Sequence, residues 1–216
     1  MDTLELIKQR HSVRRYLEKP IDAGTMAIIN AEIARLNSES GLHMQFMNEV
    51  DGVFGSLASR VIGWKSVPSY VALVGKDSPE LEETCGYYGE QLVLFLQSIG
   101  LNTCWVGMFK AENVTAELRE GERVVITIVV GYGANEGKPH KSKTVSDVTD
   151  VKDMSDSFRA GVECALLAPT AVNQQRFFFT IENGKPVAIA KGKGHFVNVD
   201  LGIVKYHFEV GSGMKF

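Results

Sequence analysis

The stretch Arg10-His11-Ser12-Val13-Arg14-Arg15-Tyr16 sets the most specific constraint in this 216-residue chain. It follows a short predicted helix at 3–10 and is predicted to be extended. Side chains alternate between the two faces of an extended chain, so Arg10, Ser12 and Arg14 are predicted to share one face. Two guanidinium groups flanking a hydroxyl suit a phosphate group. An ordinary solvated basic cluster is the alternative interpretation.

A second basic segment, His140-Lys141-Ser142-Lys143, falls in a predicted loop at 132–143. Two lysines at alternate positions can hold a phosphate as point charges, and a solvated loop is again the alternative. The chain as a whole has a formal net charge of −3. This argues against nucleic acid as a partner, and any anion site has to be built from local basic residues.

Two further segments have the composition of binding loops. The run Ala168-Pro169-Thr170-Ala171-Val172-Asn173-Gln174-Gln175 is polar but uncharged, and it offers both hydrogen-bond donors and acceptors. The run Trp105-Val106-Gly107-Met108 ends a predicted strand, where glycine lets a backbone amide approach a ligand closely. The alternatives are a structural turn in the first case and a strand end with a bulge in the second.

Hydrophobic periodicity and turn residues predict alternating helices and strands. Helices are predicted over 3–10, 23–36, 80–99, 155–167 and 200–210. Strands are predicted over 42–50, 70–74, 102–108, 123–130, 177–181 and 187–190. The last two strands form a predicted hairpin around Asn183-Gly184. Helix 80–99 is apolar on most of its circumference, which is typical of a central, buried helix.

A partial internal repeat is also predicted. The order helix, loop, aromatic strand, helix occurs at 23–100 and again at 155–210. The predicted loop at 37–41 corresponds to the loop at 168–175 in the second copy. The sequence identity between the copies is low, so chance resemblance remains an alternative.

Composition bounds the remaining possibilities. A 44% hydrophobic content is typical of soluble globular proteins, and no run approaches the roughly 20 apolar residues of a membrane span. The acidic N-terminus does not resemble a signal peptide. The three cysteines fit no zinc spacing and are predicted to be buried free thiols, which favours a reducing cytoplasm. The sequence predicts no metal site and no membrane partner.

Taken in order, these segments resemble the nitroreductase family. The 10–14 run resembles its N-terminal FMN motif, and the 168–175 run resembles its A-P-S-x-x-N-x-Q loop. The helix end at Gly100-Leu101, followed by residues 105–109, resembles the stretch whose amide approaches flavin N5. The late strand to Gly133, followed by Lys141-Ser142-Lys143, resembles the family's basic phosphate loop.

The resemblance implies an α+β fold, with a mixed or antiparallel sheet sandwiched by helices. It implies an FMN-dependent oxidoreductase that takes a hydride from NAD(P)H by a ping-pong mechanism and reduces small nitroaromatic, quinone or related electron acceptors. An FMN-binding redox protein, or a specialised flavin reductase or dehydrogenase acting on one metabolite, is the alternative. The flavin carries the chemistry, so no protein residue is expected to be catalytic. The implied cofactor contacts are Arg10, His11, Ser12, Arg14, Val106, Gly107, Lys141, Lys143, Pro169, Thr170, Ala171 and Asn173.

The chain departs from the family pattern in its organisation. The segment that matches the family's A-P-S-x-x-N-x-Q loop, 168–175, lies near the C-terminus. In the family this loop follows shortly after the first motif, and the segment at that position here, 37–41, matches it poorly. This resembles a shorter branch with a rearranged or fused second half. We expect one domain over 1–216, with internal halves at 1–135 and 155–216 as the alternative. One chain is then expected to hold one FMN as a single-chain pseudo-dimer, so that a homodimer is permitted but not required. A swapped dimer that completes the site in trans is the rival arrangement. Two substitutions, Arg176-Phe177 for the usual Pro-Trp and Val106 for an acid, put the usual substrate range in doubt.

Overall fold

The computed structural model of the chain describes residues 2–48, 52–54 and 69–216. It separates into two compact units. The sheet unit comprises His11–Leu81 and Leu92–Lys138, and the helical unit comprises Met1–Arg10, Glu82–Gln91 and Pro139–Phe216. The chain passes between the units at 10/11, 81/82, 91/92 and 138/139, and the last crossing lies in the loop predicted at 132–143.

In its described residues, the sheet unit contains one long helix, the last turns of a second helix and four strands. Its elements are α2 (Ala23–Ser40), β1 (Gln45–Met47), β2 (Ser69–Lys76), β3 (Asn102–Val106) and β4 (Glu122–Gly131). The strand order is β1-β2-β4-β3, with every pair antiparallel. β2 is buried along its length except at Lys76. Runs of β-branched residues in β2 and β4 therefore form the core of this unit, as expected of strands covered on both faces.

The helical unit contains α1 (Thr3–Gln9), α4 (Asp156–Ala165), α5 (Val197–Ser212) and residues Glu82–Gln91 of α3, a helix that spans Leu81–Ser98. It also contains a hairpin of β5 (Phe177–Glu182) and β6 (Lys185–Ala190). Its aromatic core includes Phe179 stacked on Phe208, with ring centroids 4.8 Å apart. Helices α4 and α5 pack directly against each other, because glycines at 161 and 211 bring the two backbones close.

Helices α3 and α5 approach each other still more closely in the helical unit. A Cβ added to Gly86 would lie 2.0 Å from the carbonyl oxygen of Val199, and one added to Gly202 would lie 2.0 Å from that of Glu83. Neither position tolerates a side chain without movement of a backbone. The two glycines therefore fix the distance between these helices.

The structure confirms the α+β class and the antiparallel sheets. It also confirms the hairpin, whose turn residues Asn183 and Gly184 both have positive φ, at 51° and 77°. Helix α3 is buried as predicted, since no residue from Leu81 to Gln97 is exposed. The three cysteines are free and buried. None of the helices in the described residues combines the length and apolarity needed to cross a membrane.

The predicted loop at 37–41 is wrong. Helix α2 continues to Ser40, and Gly41 ends it in the left-handed conformation at φ 73°. The Asn37 side chain, which suggested a loop, bonds the backbone of Met44 in both directions. The segment is therefore no counterpart of the 168–175 loop. Among the described residues, the coarser order of helix, antiparallel strand pair, helix does recur, in α2-β1-β2-α3 and in α4-β5-β6-α5.

Smaller differences concern element ends. Strand β3 stops at Val106 and not at Met108, and α5 runs from Val197 to Ser212 and not from 200 to 210. Gly211 does not end α5, because its lack of a side chain serves packing against Ala160 and Cys164. The last two residues of the predicted strand at 42–50 lie outside the described residues.

Candidate functional site

The loop at 168–175 forms a tight turn after α4 that is held in an unusual backbone conformation. Ala171–Asn173 make one 3₁₀ turn, and Val172, Asn173 and Gln175 have φ angles of 46°, 54° and 44°. Left-handed geometry is uncommon outside glycine and costs most in a β-branched residue. The Val172 side chain is also 97% exposed. Such strain persists only where surrounding contacts impose it.

Gln175 supplies many of those contacts. Its buried carboxamide donates to the Lys141 carbonyl and to Asn173 Oδ1, both at 2.8 Å, and accepts from the Lys143 amide at 2.8 Å. Its own amide donates to Thr170 Oγ1 at 3.0 Å. Its carbonyl accepts from Lys143 Nζ at 2.7 Å. Gln175 therefore joins the turn to the basic segment.

The 168–175 loop and the basic segment at 140–143, both in the helical unit, are thus held together by hydrogen bonds as one body. Asn173 Nδ2 also donates to the Lys141 carbonyl at 2.8 Å. Lys141, Lys143 and Asn173 are exposed, Thr170 and Ala171 are half-buried, and Pro169 is buried. The structure therefore brings together six of the twelve predicted cofactor contacts, namely Lys141, Lys143, Pro169, Thr170, Ala171 and Asn173.

A buried carboxylate on α5 also holds the turn. Asp200 accepts the Ala171 amide at 2.9 Å and 3.2 Å through its two oxygens, and the Gln174 side chain at 2.7 Å. It is 4% exposed. Burial raises the pKa of this carboxyl to about 6, while the hydrogen bonds from Gln174 and Ala171 act in the opposite direction.

Arg10 lies in the interior of the helical unit. It is 4% exposed, and its Nε lies 3.5 Å from Oε1 of Glu90 on α3. The same carboxylate oxygen is 3.0 Å from Nε2 of His207, whose Nδ1 lies 3.3 Å from the Cys164 carbonyl. This buried network links Arg10, which follows α1, to residues of α3, α4 and α5. A phosphate contact at Arg10 stays a prediction.

The rest of the first motif belongs to the sheet unit. Val13 donates its amide to Thr103 at 2.9 Å, and the Tyr16 hydroxyl donates to the Val13 carbonyl at 2.7 Å. His11 and Ser12 are half-buried, and Arg14 is exposed. Gly137, at φ 75°, approaches the backbone of Ser12 closely.

The predicted alternation along this motif is wrong. The buried residues of this motif are at positions 10, 13 and 16, which is every third residue. Arg10 is therefore buried, whereas Arg14 is exposed. The alternation failed because Val13 and Tyr16 fill the core of the sheet unit. Burial of these two side chains in the core outweighs the alternation of faces that an isolated extended chain would show.

The end of β3 presents a glycine as predicted. The Val106 side chain is 2% exposed, and its carbonyl accepts from the Thr127 hydroxyl at 2.9 Å. Gly107 follows the last strand residue, and Met108 is 49% exposed. A role for the Gly107 amide or for Arg14 beside a flavin stays a prediction.

The strain in the turn can be measured. Replacing Val172 by asparagine is expected to raise the free energy of unfolding by about 1 kcal/mol, because asparagine tolerates left-handed geometry better than valine. Thermal or urea unfolding measures the change. Leu118→Asn is the matched control, an exposed apolar residue at 51% without positive φ. Equal effects of the two substitutions would show that the backbone at Val172 is not strained.

A family model described as "Putative TM nitroreductase" matches residues 2–212. The chain belongs to this family. Among curated proteins, none matches the chain. Its membership agrees with the resemblance that the four sequence segments indicated.

Solved structures of nitroreductase proteins share the fold of this family member. The "putative nitroreductase" of Thermotoga maritima is 24% identical, with a TM-score of 0.66 over 98% of this chain and 83% of its own. A "putative nitroreductase in complex with FMN" from Exiguobacterium sibiricum is 16% identical, with a TM-score of 0.54 over 70% and 98%. A "putative NAD(P)H:FMN oxidoreductase" from Staphylococcus epidermidis is 14% identical, with a TM-score of 0.54 over 70% and 96%.

Three residues of this region were not singled out from sequence. Gln175 was part of the quoted loop but was not distinguished from Gln174. Glu90 lies in an apolar helix, where a buried acid is itself a signal that a partner is needed. Asp200 carries no local signal, because its partners lie 26 and 29 residues away in sequence.

Proposed function

We propose that this nitroreductase-family chain binds FMN and acts as an NAD(P)H-dependent oxidoreductase on small electron acceptors. Family membership supports an oxidoreductase, and the Exiguobacterium and Staphylococcus neighbours support FMN as the cofactor to test. The geometric observation that carries the proposal is the body formed by the 170–175 turn and the basic segment, joined through Gln175.

The residues of this body fit the polar groups of FMN. Lys141 and Lys143 are exposed cations on one short segment, which suits the charge of a terminal phosphate. Lys143 Nζ donates one hydrogen bond to the Gln175 carbonyl, and an ammonium group has three N–H donors. That bond orients the lysine and leaves it able to contact an anion. We assign the phosphate end of the cofactor to these two lysines.

The turn is assigned to the uncharged part of the cofactor. The Thr170 hydroxyl accepts the Gln175 amide, so its own proton can be donated to a flavin carbonyl or a ribityl hydroxyl. The Asn173 side chain is exposed, and it donates to the Lys141 carbonyl and accepts from the Gln175 side chain. These bonds hold the turn and leave the side chain further hydrogen-bonding capacity for a ligand. A rigid turn binds without the entropic cost of ordering a loop.

FMN, when bound, supplies the two-electron chemistry of the reaction. The chain then needs to bind and orient the cofactor, and to leave room for a hydride donor and an acceptor. The substrate classes we propose are NAD(P)H as donor and nitroaromatics, quinones or related small molecules as acceptors.

The phosphate assignment is tested with Lys143→Ala. We expect FMN affinity to fall by about 1.5–3 kcal/mol, the range for a hydrogen bond to a charged group. Riboflavin lacks the phosphate, so its affinity should change little. Titration by flavin fluorescence measures both, and Lys152→Ala, which removes another exposed lysine of the helical unit, is the control. Equal losses for FMN and riboflavin would place the phosphate elsewhere.

A further inference from the structure

Asp200 is an unusual helix residue because its carboxylate serves a different segment. It lies in the first turn of α5, where acidic side chains commonly stabilise the helix itself. Its two oxygens instead bond the Ala171 amide and the Gln174 carboxamide. Residues 171 and 174 bracket Val172 and Asn173, two of the three left-handed residues. The carboxylate therefore spans the strained part of the turn.

In the described residues, the other bonds of the turn do not anchor its strained part to a helix. Asn173 and Gln174 donate their amides to the carbonyls of Thr170 and Ala171, which lie inside the turn. The bonds of Gln175 tie its end to the basic segment. Asp200 joins its beginning and middle to a long helix. Loss of that carboxylate would leave Ala171 and Gln174 without this anchor.

Titratable side chains lie on the segments that flank Asp200 and the turn. The turn itself carries no charged side chain. Flanking basic groups are Arg176, which donates to the Lys193 carbonyl, and His195, whose carbonyl accepts from Gln174. On α3, Glu82 accepts from Asn198 and Glu83 from Lys205. The hydrogen bonds recorded for the Asp200 carboxylate in the described residues run to the turn alone.

We propose that Asp200 is a positioning residue that holds the 170–175 turn in its ligand-binding conformation and couples the order of the turn to pH. The flavin part of this inference rests on the proposed function, whereas the order of the turn does not. In the structure the turn and α5 bury the Asp200 carboxyl, and we call this arrangement the closed turn. The dependence of the turn on pH follows from that burial.

The direction of the coupling follows from linkage. Burial holds the pKa of Asp200 at about 6 in the closed turn, against 3.8 for a solvated carboxyl. If opening the turn solvates the group, the closed form binds the proton more tightly. Protonation of Asp200 then stabilises the closed turn fully below about pH 4, and this stabilisation is lost as the pH rises through about 6. The turn should be more ordered at pH 5 than at pH 7.5.

Hydrogen exchange on the flavin-free protein tests this directly. The amides of Ala171, Asn173, Gln174 and Gln175 report on the turn. After correction for intrinsic rates, wild-type protection at these amides should be higher at pH 5 than at pH 7.5. In D200A it should fall about tenfold at pH 7.5, the equivalent of one hydrogen bond, and it should be the same at the two pH values. Protection in β4 should stay unchanged.

The conservative variant separates positioning from general packing. D200N keeps an acceptor for the Ala171 amide and resembles the protonated acid, so it should retain protection and lose the pH dependence. Asp156→Asn, an exposed acid at the start of α4, is the control. Unchanged turn protection in D200A, or a loss spread evenly over the helical unit, overturns the positioning role. A flat wild-type profile, or D200N that keeps the pH dependence, overturns the coupling.

Flavin titration at pH 7.5 completes the test. D200A should bind FMN about tenfold more weakly than wild type, and D200N should bind within about twofold of it. Wild-type protein that binds no FMN contradicts the proposed function, while exchange still decides the role of Asp200. Ordinary FMN affinity in a D200A variant with a disordered turn contradicts the inference and leaves the proposed function standing. If D200A does not fold, the wild-type and D200N profiles decide.

Discussion

Replacing Glu90 by glutamine is expected to lower the free energy of unfolding by about 3–5 kcal/mol, the range for breaking a buried ion pair. The side chains of Arg10 and Glu90 are 3% and 0% exposed. Glutamine has nearly the volume of glutamate, so the loss would come from charge and not from a cavity. The Arg10 guanidinium and His207 would both lose the carboxylate that faces them. Urea unfolding at pH 7 measures the change.

A second substitution provides the control. Arg10→Met in the Glu90→Gln background removes the buried cation, so the double variant should be more stable than Glu90→Gln alone. A loss below about 1 kcal/mol for Glu90→Gln, typical of an exposed pair, would mean that the network is solvated. The result also bears on Arg10→Ala as a flavin-binding variant, because its effect on folding has to be separated from any effect on affinity.

Replacing Gly86 by alanine should destabilise the protein by about 3 kcal/mol, the upper end of the usual cost of overpacking a packed interior. The added Cβ would lie 2.0 Å from the Val199 carbonyl oxygen, so α3 and α5 would have to move apart. Alanine favours an isolated helix by about 1 kcal/mol relative to glycine, so packing and propensity predict opposite signs. Thermal unfolding measures the outcome, with Ser98→Ala at the exposed end of α3 as the control.

A gain in stability for Gly86→Ala would show that the two helices do not approach as closely as described. Gly202→Ala gives an independent check from the other helix, because its Cβ would meet the Glu83 carbonyl oxygen at 2.0 Å. The two variants should therefore lose similar amounts of stability.

Much of the fold could be predicted because local signals agreed with the final packing. The hairpin was marked by Asn183-Gly184, whose positive φ angles suit a tight turn. Ser155 is the N-cap of α4, where its hydroxyl accepts the Phe158 amide. The apolar surface of α3 predicted its burial. Each of these features depends on residues close together in sequence.

The errors arose where distant contacts decided the outcome. Residues 37–40 are polar, but they lie on a continuing helix that ends only at Gly41. The alternation expected along 10–14 gave way to burial of Val13 and Tyr16 in the sheet unit. The role of Asp200 depends on residues that fold back against α5 from another segment. No local pattern carries that information.

The candidate site was predicted in part for the same reason. Lysine spacing and the polar composition of 168–175 marked two segments, and the structure joins them in the helical unit. Their connection depends on Gln175, a buried side chain that bonds residues 32 and 34 positions away. Composition identified the segments, but only the fold shows how they are held together.

The proposed function is tested most sharply by reconstituting the flavin-free wild-type protein with FMN and then adding NADPH or NADH anaerobically. We expect saturable quenching of flavin fluorescence with a Kd below about 10 μM. We also expect a reduced nicotinamide to bleach the bound flavin, and its absorbance to recover when a quinone or nitroaromatic is added. Binding without bleaching would indicate a flavin-binding protein and not an oxidoreductase. Flavin fluorescence that is unchanged at any protein concentration would show that the chain does not bind FMN.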